Sequence, residues 1–302
     1  IVVLVATALS LSGAYVNMAS KGQGGSLAQP AIQVEDLVKK YHDLVAVDDI
    51  SFSVAEGEIF GFLGPNGAGK TTTISILCTL LRPTSGRATV NGFDVVREQG
   101  QVRQSIGLVF QDPSLDERLS ALENMEFHAA LYHVPSSERK SRIEQLLRMV
   151  ELWERRHHLV KTFSGGMKRR LELARGLLHH PRVVFLDEPT LGLDPQTRYR
   201  LWEFVMELRQ REGTTLFLTT HYMDEAGYAQ RIAIIDHGKI IALDTPEALK
   251  AQVGGDVIRL RTEDNERASL EIRQRLGIEA RQDGGELSFE VSRGEEFIPR
   301  LV

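Results

Sequence analysis

The chain has 302 residues, with 36 Lys and Arg against 41 Asp and Glu, a formal net charge of −5 at pH 7. That length admits one large α/β domain or two smaller ones, and the mildly acidic balance gives no electrostatic basis for gripping nucleic acid. A composition of 42% hydrophobic and 25% charged residues is globular and excludes disorder, while a lone cysteine, Cys78, excludes an internal disulfide or a multi-cysteine metal site and fits a reducing compartment.

The first twenty residues carry no charge, and 14 of them are apolar or aromatic. The run reaches the lower limit for a membrane span, but Ser10, Ser12, Gly13 and Asn17 interrupt it and no positive n-region marks a secretory signal. Met18-Ala19-Ser20-Lys21 reads like an ordinary start. Residues 1–17 are therefore expected to be an upstream extension with no role in folding, a membrane tether being the alternative. Residues 22–30 read as a flexible linker, so that 1–31 stand outside the core.

From Ile32 the pattern is regular. Ile50 to Val54 alternate as a half-buried strand does, and Ile59–Leu63 is a short apolar run of the kind covered on both faces. Residues 106–110, 183–186 and 215–219 repeat that character. Between them lie stretches with helical apolar spacing, at 139–150 (Ile143, Leu146, Leu147, Val150) and 198–208 (Leu201, Phe204, Val205, Leu208). Buried strands alternating with helices predict a mainly parallel α/β sheet. Beyond residue 250 the pattern changes: Ile258 and Leu260 alternate with arginines, Leu287, Phe289 and Val291 alternate likewise, and a charged helix is expected over 266–276. Ser292 and Glu295 have capping-box spacing for one more helix. Residues 251–302 thus read as a small α+β appendage that stops short.

Gly64-Pro65-Asn66-Gly67-Ala68-Gly69-Lys70-Thr71 fits G-x-x-x-x-G-K-[ST] at every fixed position, after a buried strand and before a helical pattern (Ile74, Leu77, Cys78, Leu81). The glycines let successive backbone N–H groups turn towards a polyphosphate, and the helix beginning near Lys70 aims its positive end at the same charge. Lys70 is placed to reach the β- and γ-phosphates, and the Thr71 hydroxyl to ligate Mg²⁺. The strand at 183–186 ends in Asp187-Glu188-Pro189. Acids at the C-terminal end of such a strand lie at the crevice where α/β sheets bind ligands. Asp187 is the better Mg²⁺ ligand, and Glu188, one residue on, suits a general base acting on water.

With these residues and Phe163-Ser164-Gly165-Gly166-Met167-Lys168-Arg169-Arg170-Leu171 in place, the chain resembles the ATP-binding subunit of ABC transporters over roughly 32–250. The resemblance implies a P-loop NTPase core with a mainly parallel sheet, an antiparallel β edge subdomain and a helical insert at about 112–165. It implies ATP and Mg²⁺ as cofactors, with the whole loop from Gly64 to Thr72 on the nucleotide. Tyr41 then matches the aromatic that stacks on adenine, Gln111 the glutamine that contacts Mg²⁺ or water, Asp194 the loop at a dimer interface and His221 the switch histidine at the γ-phosphate. Ser164, Gly165 and Gly166 form the signature, which in this family completes the ATP site of a second copy and not of its own chain. An integral-membrane permease is the other partner, docked by the insert (Leu122, Met125, Phe127, Leu131), which places the chain at the cytoplasmic face of the cell membrane. The signature departs from the commonest form at Phe163 and Met167 and is similar to that of daunorubicin-type drug-resistance exporters. The competing readings are a non-transport ABC-type ATPase of DNA repair, against which stand the 52 residues between Gln111 and Ser164 without coiled-coil heptads, and a catalytically dead regulator, against which stand Glu188 and His221.

Overall fold

The structure, a computed structural model, describes residues 3–6, 29–110, 114–253, 256–262, 264–283, 285–291 and 297–298. In chain order the first elements are β1 (Val3–Ala6), β2 (Ile32–Tyr41), β3 (Leu44–Val54), β4 (Ile59–Leu63), α1 (Lys70–Leu77), β5 (Ser85–Val90), β6 (Phe93–Asp94), α2 (Gln99–Ser105) and β7 (Ile106–Val109). The insert supplies α3 (Ala121–Leu131) and α4 (Ser136–Met149), followed by α5 (Gly165–Gly176), β8 (Val183–Asp187), α6 (Pro195–Glu212), β9 (Thr215–Thr220) and α7 (Met223–Ala226). The remainder is β10 (Arg231–Asp236), β11 (Lys239–Asp244), α8 (Pro246–Val253), β12 (Asp256–Arg261), α9 (Asn265–Leu276), β13 (Arg281–Asp283) and β14 (Glu286–Val291).

The chain divides into two compact units, one spanning Gln23–Leu243 and one made from its two ends, Ile1–Gly22 and Asp244–Val302. The division falls before α8, and so earlier than the expected break at 250/251. In the larger unit a six-stranded sheet has the order β11-β10-β4-β9-β8-β7, with β10, β4, β9, β8 and β7 mutually parallel. β4, β8 and β9 are buried along their whole length, as their unbroken apolar runs require when both faces are covered. An antiparallel sheet, β3-β2-β5-β6, is the expected edge subdomain. Five phenylalanines join the two sheets. Phe52 of β3 stacks on Phe60 of β4 at 5.4 Å, and Phe217 of β9 meets Phe62 and Phe185 at 5.5 Å each. Such pairs contribute about 0.5–1.5 kcal/mol each beyond their buried area, so the face of β4 that carries Phe60 and Phe62 is tied both to β3 and to β9.

The insert folds as α3 and α4. Ser120 and Glu123 form the capping box that starts α3: the Ser120 hydroxyl accepts from Glu123 N and the Glu123 carboxylate from Ser120 N. Cys78, which closes α1, is buried, and that burial, aided by the charge of Asp187, holds its thiol pKa well above the usual value.

In the smaller unit β12 and β14 pair antiparallel, as do β14 and β13, over a core of Ile258, Leu260, Ile272, Leu287, Phe289 and Val291. The α9 helix lies at Asn265–Leu276, matching the charged stretch expected there. Val3–Ala6 departs from expectation. Read as part of an extension outside the fold, it pairs antiparallel with β12, Leu4 opposite Leu260; a Val-Leu-Val run has the β-propensity to take an open sheet edge. The expected linker over 22–28 and the Ser292–Glu295 helix start lie outside the described residues.

Candidate active site

The glycine-rich loop leaves β4 and enters α1 under tight steric control. A Cβ on Gly64 would stand 2.2 Å from the Ile235 carbonyl oxygen, and one on Gly69, at φ 109°, would stand 2.4 Å from the Ala46 carbonyl oxygen. Gly238 N donates to Ala68 O (3.0 Å) and Asp48 N to Gly238 O (2.9 Å), so β3 and the β10–β11 turn wall the loop on its outer side. α1 starts without a side-chain cap and without an acid in its first turn, which leaves its positive end uncompensated. Pro65, Asn66 and Gly67 are exposed at the tip, Thr71 is exposed and Thr72 half-buried. Such a backbone cradle beside an uncapped helix start fits a polyphosphate. Gly64→Ala should lower stability by roughly 1–3 kcal/mol through overpacking and weaken nucleotide binding, because the strand end must move; thermal melts with and without ATP check both.

Lys70, only 5% exposed, donates through Nζ to the carbonyls of Gly64 (2.6 Å) and Pro65 (3.1 Å) and stands 3.5 Å from Glu188 Oε1. The other carboxylate oxygen of Glu188 lies 3.4 Å from His221 Nδ1. Three residues expected to act together, from β4–α1, the end of β8 and the end of β9, thus converge on one carboxylate. Asp187 is buried and accepts a hydrogen bond from Thr219 Oγ1 at 2.5 Å, across the β8–β9 register that sets Asp187 opposite Thr219. Among the described residues no three His, Cys, Asp or Glu side chains form a metal-holding group. A hard cation here would take one carboxylate, a hydroxyl and phosphate oxygens, the usual manner of Mg²⁺; Asp187 and Thr71 offer that donor set.

The other expected positions fall in two groups. Ser164 caps α5, its hydroxyl accepting from Met167 N at 3.3 Å, and Asp194 caps α6, accepting from Thr197 N (3.0 Å) and Thr197 Oγ1 (2.6 Å). These bonds from Thr197 hold the Asp194 carboxyl below its ordinary pKa. Thr197 also packs on the signature: a Cβ on Gly166 would sit 2.7 Å from its methyl group, whereas one on Gly165 would meet nothing. Among the described residues no hydrogen bond joins Ser164–Gly166 to the loop Gly64–Thr72. Tyr41 ends β2 beside the hairpin that reaches Ala46, partly exposed, with Lys39 Nζ 5.0 Å from its ring centroid. Gln111 lies outside the described residues.

Several residues of the site carried no signal that sequence reasoning used. Thr219 seats Asp187. Tyr222 lies tilted against His221, with ring centroids 4.1 Å apart, and the Arg198 guanidinium sits over the Tyr222 ring, 4.5 Å from the ring centroid. Thr190 donates to buried Glu225, linking the Asp194 loop to the segment after His221. Arg169 and Glu172 stand on the buried face of α5, and their i, i+3 spacing on an otherwise apolar helix face was the sign available.

The family model described as ABC transporter matches residues 47–191. The daunorubicin resistance ATP-binding protein DrrA3 of Streptomyces coeruleorubidus is 46% identical over 233 residues, covering 77% of this chain and 73% of that protein. The chain belongs to the ABC transporter family of ATP-binding proteins. The linearmycin resistance ATP-binding protein of Bacillus subtilis is 42% identical over 228 residues, 75% of this chain and 73% of that protein. Among solved structures, cbiO1 of Clostridium perfringens, part of an ABC transporter complex, superposes on this ABC protein with a TM-score of 0.69 at 27% identity, over 83% of this chain and 97% of its own. A dimeric ATP-binding cassette in a post-hydrolysis state with ADP and phosphate gives 0.65 at 27% identity, over 71% and 98%. This ABC protein is an ATPase of the drug-resistance type. Among its described residues no helix is long and apolar enough to cross a membrane.

Proposed function

We propose that this ABC protein powers export of drug-like or antibiotic compounds by a separate integral-membrane permease at the cytoplasmic face of the cell membrane. Two copies would close head to tail around two ATP, and hydrolysis would part them. The observation that carries the reading is the convergence of Lys70 and His221 on Glu188 at the mouth of β4, β8 and β9. The loop Gly64–Thr72 would hold the triphosphate, with Tyr41 on adenine. Thr71, Asp187 and Gln111 would hold Mg²⁺, which when bound offsets charge on the β- and γ-phosphate oxygens. Glu188 would accept the proton of the attacking water as its oxygen bonds to the γ-phosphorus and the bond to the β–γ bridging oxygen breaks. His221 would donate to the γ-phosphate and fix the direction of attack.

The separation of the signature from the nucleotide loop supports the need for a second copy. The nucleotide loop leaves β4, whereas α5, which starts at the signature, packs on β7. That contact comes at the C-terminal end of α5, where Gly176 lies against Gly107 and Val109. Among the described residues no hydrogen bond joins Ser164 to Gly64–Thr72, which supports the reading that Ser164 would serve an ATP held by a second copy. On the insert, Phe127 and Leu131 of α3 are 67% and 60% exposed, four residues apart on one face, a surface suited to a helix of the permease. With Mg²⁺ and ATP, the Glu188→Gln chain should run as a dimer in size-exclusion chromatography with light scattering, and with ADP as a monomer. A chain that stays monomeric at saturating ATP overturns the shared site.

A further inference from the structure

We propose that Arg169 is the positioning residue for Glu188, holding the general base in its left-handed backbone turn by clamping the carbonyls on either side. The proposal rests on the assignment of Glu188 as that base. Arg169 is 6% exposed, and its guanidinium spends its donors almost wholly on main-chain oxygens. Nε donates to Pro189 O (2.7 Å), and Nη2 to Asp187 O (3.1 Å) and Glu188 O (3.3 Å), three consecutive carbonyls at the end of β8. Nη1 donates to Phe110 O, just beyond β7, and approaches Glu172 Oε2 at 3.3 Å.

What the clamp holds is unusual. Glu188 has φ 45°, a conformation that non-glycine residues seldom adopt and that persists only where the surroundings enforce it. Glu188 N donates to Thr219 O and to Thr219 Oγ1, both at 3.1 Å. The peptide plane before Glu188 is therefore fixed at its N–H by Thr219 and at its C=O by Arg169. The plane after it is fixed at its C=O by Arg169 as well. Both backbone torsions of Glu188 are thereby set, and with them the direction of the Cα–Cβ bond from which its carboxylate reaches Lys70 on one side and His221 on the other.

The clamp is itself anchored. Glu172, 2% exposed, balances the buried guanidinium and accepts from Ser114 N at 2.6 Å, while Arg175 donates to Ser114 O at 2.7 Å. Burial draws the Arg169 pKa down, and Glu172 and Asp187 oppose it. Phe110 and Ser114 are thus bound to the same helix face that holds the base. Lysine cannot replace this arrangement, since a single ammonium point has no rigid fork to span carbonyls from two strands.

The test compares the native chain with Arg169→Lys, Arg169→Ala, Glu188→Gln and the double variant that joins Arg169→Lys to Glu188→Gln, using MgATP as the probe. Arg169→Lys should bind ATP within about threefold of native while kcat falls roughly tenfold to a hundredfold, as expected when a reacting group is misdirected. Millimolar guanidinium should restore part of kcat to Arg169→Ala. The double variant should be no slower than Glu188→Gln alone, because the two residues act through one carboxylate. Native kcat in Arg169→Lys alongside an inactive Glu188→Gln overturns the proposal and leaves the base assignment standing. Failure of both Arg169 variants to bind nucleotide overturns it too, because Arg169 then serves only the fold. Native turnover in Glu188→Gln removes the base assignment and this proposal with it.

Discussion

Glu188→Gln lowers steady-state ATP turnover by roughly 10²- to 10⁴-fold, the usual contribution of a general base, and leaves ATP affinity close to native. The substitution keeps the shape of the side chain and its capacity to accept a hydrogen bond, but an amide cannot take the proton of an attacking water. The site makes this a clean experiment. The Glu188 carboxylate is only 10% exposed, and its two oxygens face different partners, Lys70 Nζ at 3.5 Å and His221 Nδ1 at 3.4 Å. None of the loop that would hold the phosphates depends on Glu188 for its backbone hydrogen bonds. Phosphate release under saturating ATP measures the first effect and nucleotide titration the second. Turnover near the native rate would place the base elsewhere.

Lys70→Ala acts at the other end of the same contact and has the opposite signature: affinity collapses before chemistry is reached. Lys70 is buried, and two of its three N–H donors are engaged by Gly64 O and Pro65 O, which aligns the ammonium across the mouth of the loop. Hydrogen bonds to charged partners contribute about 1.5–3 kcal/mol, so ATP binding should weaken by roughly tenfold to more than a hundredfold. A titration with a fluorescent ATP analogue reads this directly, and an unchanged Kd would remove Lys70 from the phosphate site. The pair of variants thus separates binding from chemistry: one moves Kd, the other kcat.

How much of this site was legible in the sequence depended on who the partners are. The nucleotide loop was readable because its requirements fall on residue type. Gly64 and Gly69 admit no Cβ against Ile235 O and Ala46 O, and Lys70 must follow them. β4, β8 and β9 were readable because full burial demands an unbroken apolar run, and Asp187-Glu188 because charges at the end of such a run have to meet something. Arg169 was not readable in the same way. Its partners are carbonyls of residues 110 and 187–189, and a backbone oxygen leaves no mark on the residue that bears it. Thr219 was hidden for a related reason: threonine is a common strand residue, so at the end of the buried run Leu216-Phe217-Leu218 a hydroxyl aimed at Asp187 looks like ordinary strand preference. Val3–Ala6 escaped the sequence because a four-residue apolar run carries no mark of the strand it pairs with, here β12.

Cys78 has a practical consequence for watching the two copies meet. The one native thiol is sealed inside the protein, 2% exposed, with its pKa held well above the usual value, whereas maleimides and thiol-reactive spin labels are attacked by thiolates that solvent reaches. A reporter thiol placed at exposed Tyr199 or Leu191 would be modified against a silent background. Distances between two such labels could then be followed through a catalytic cycle in the otherwise native polypeptide.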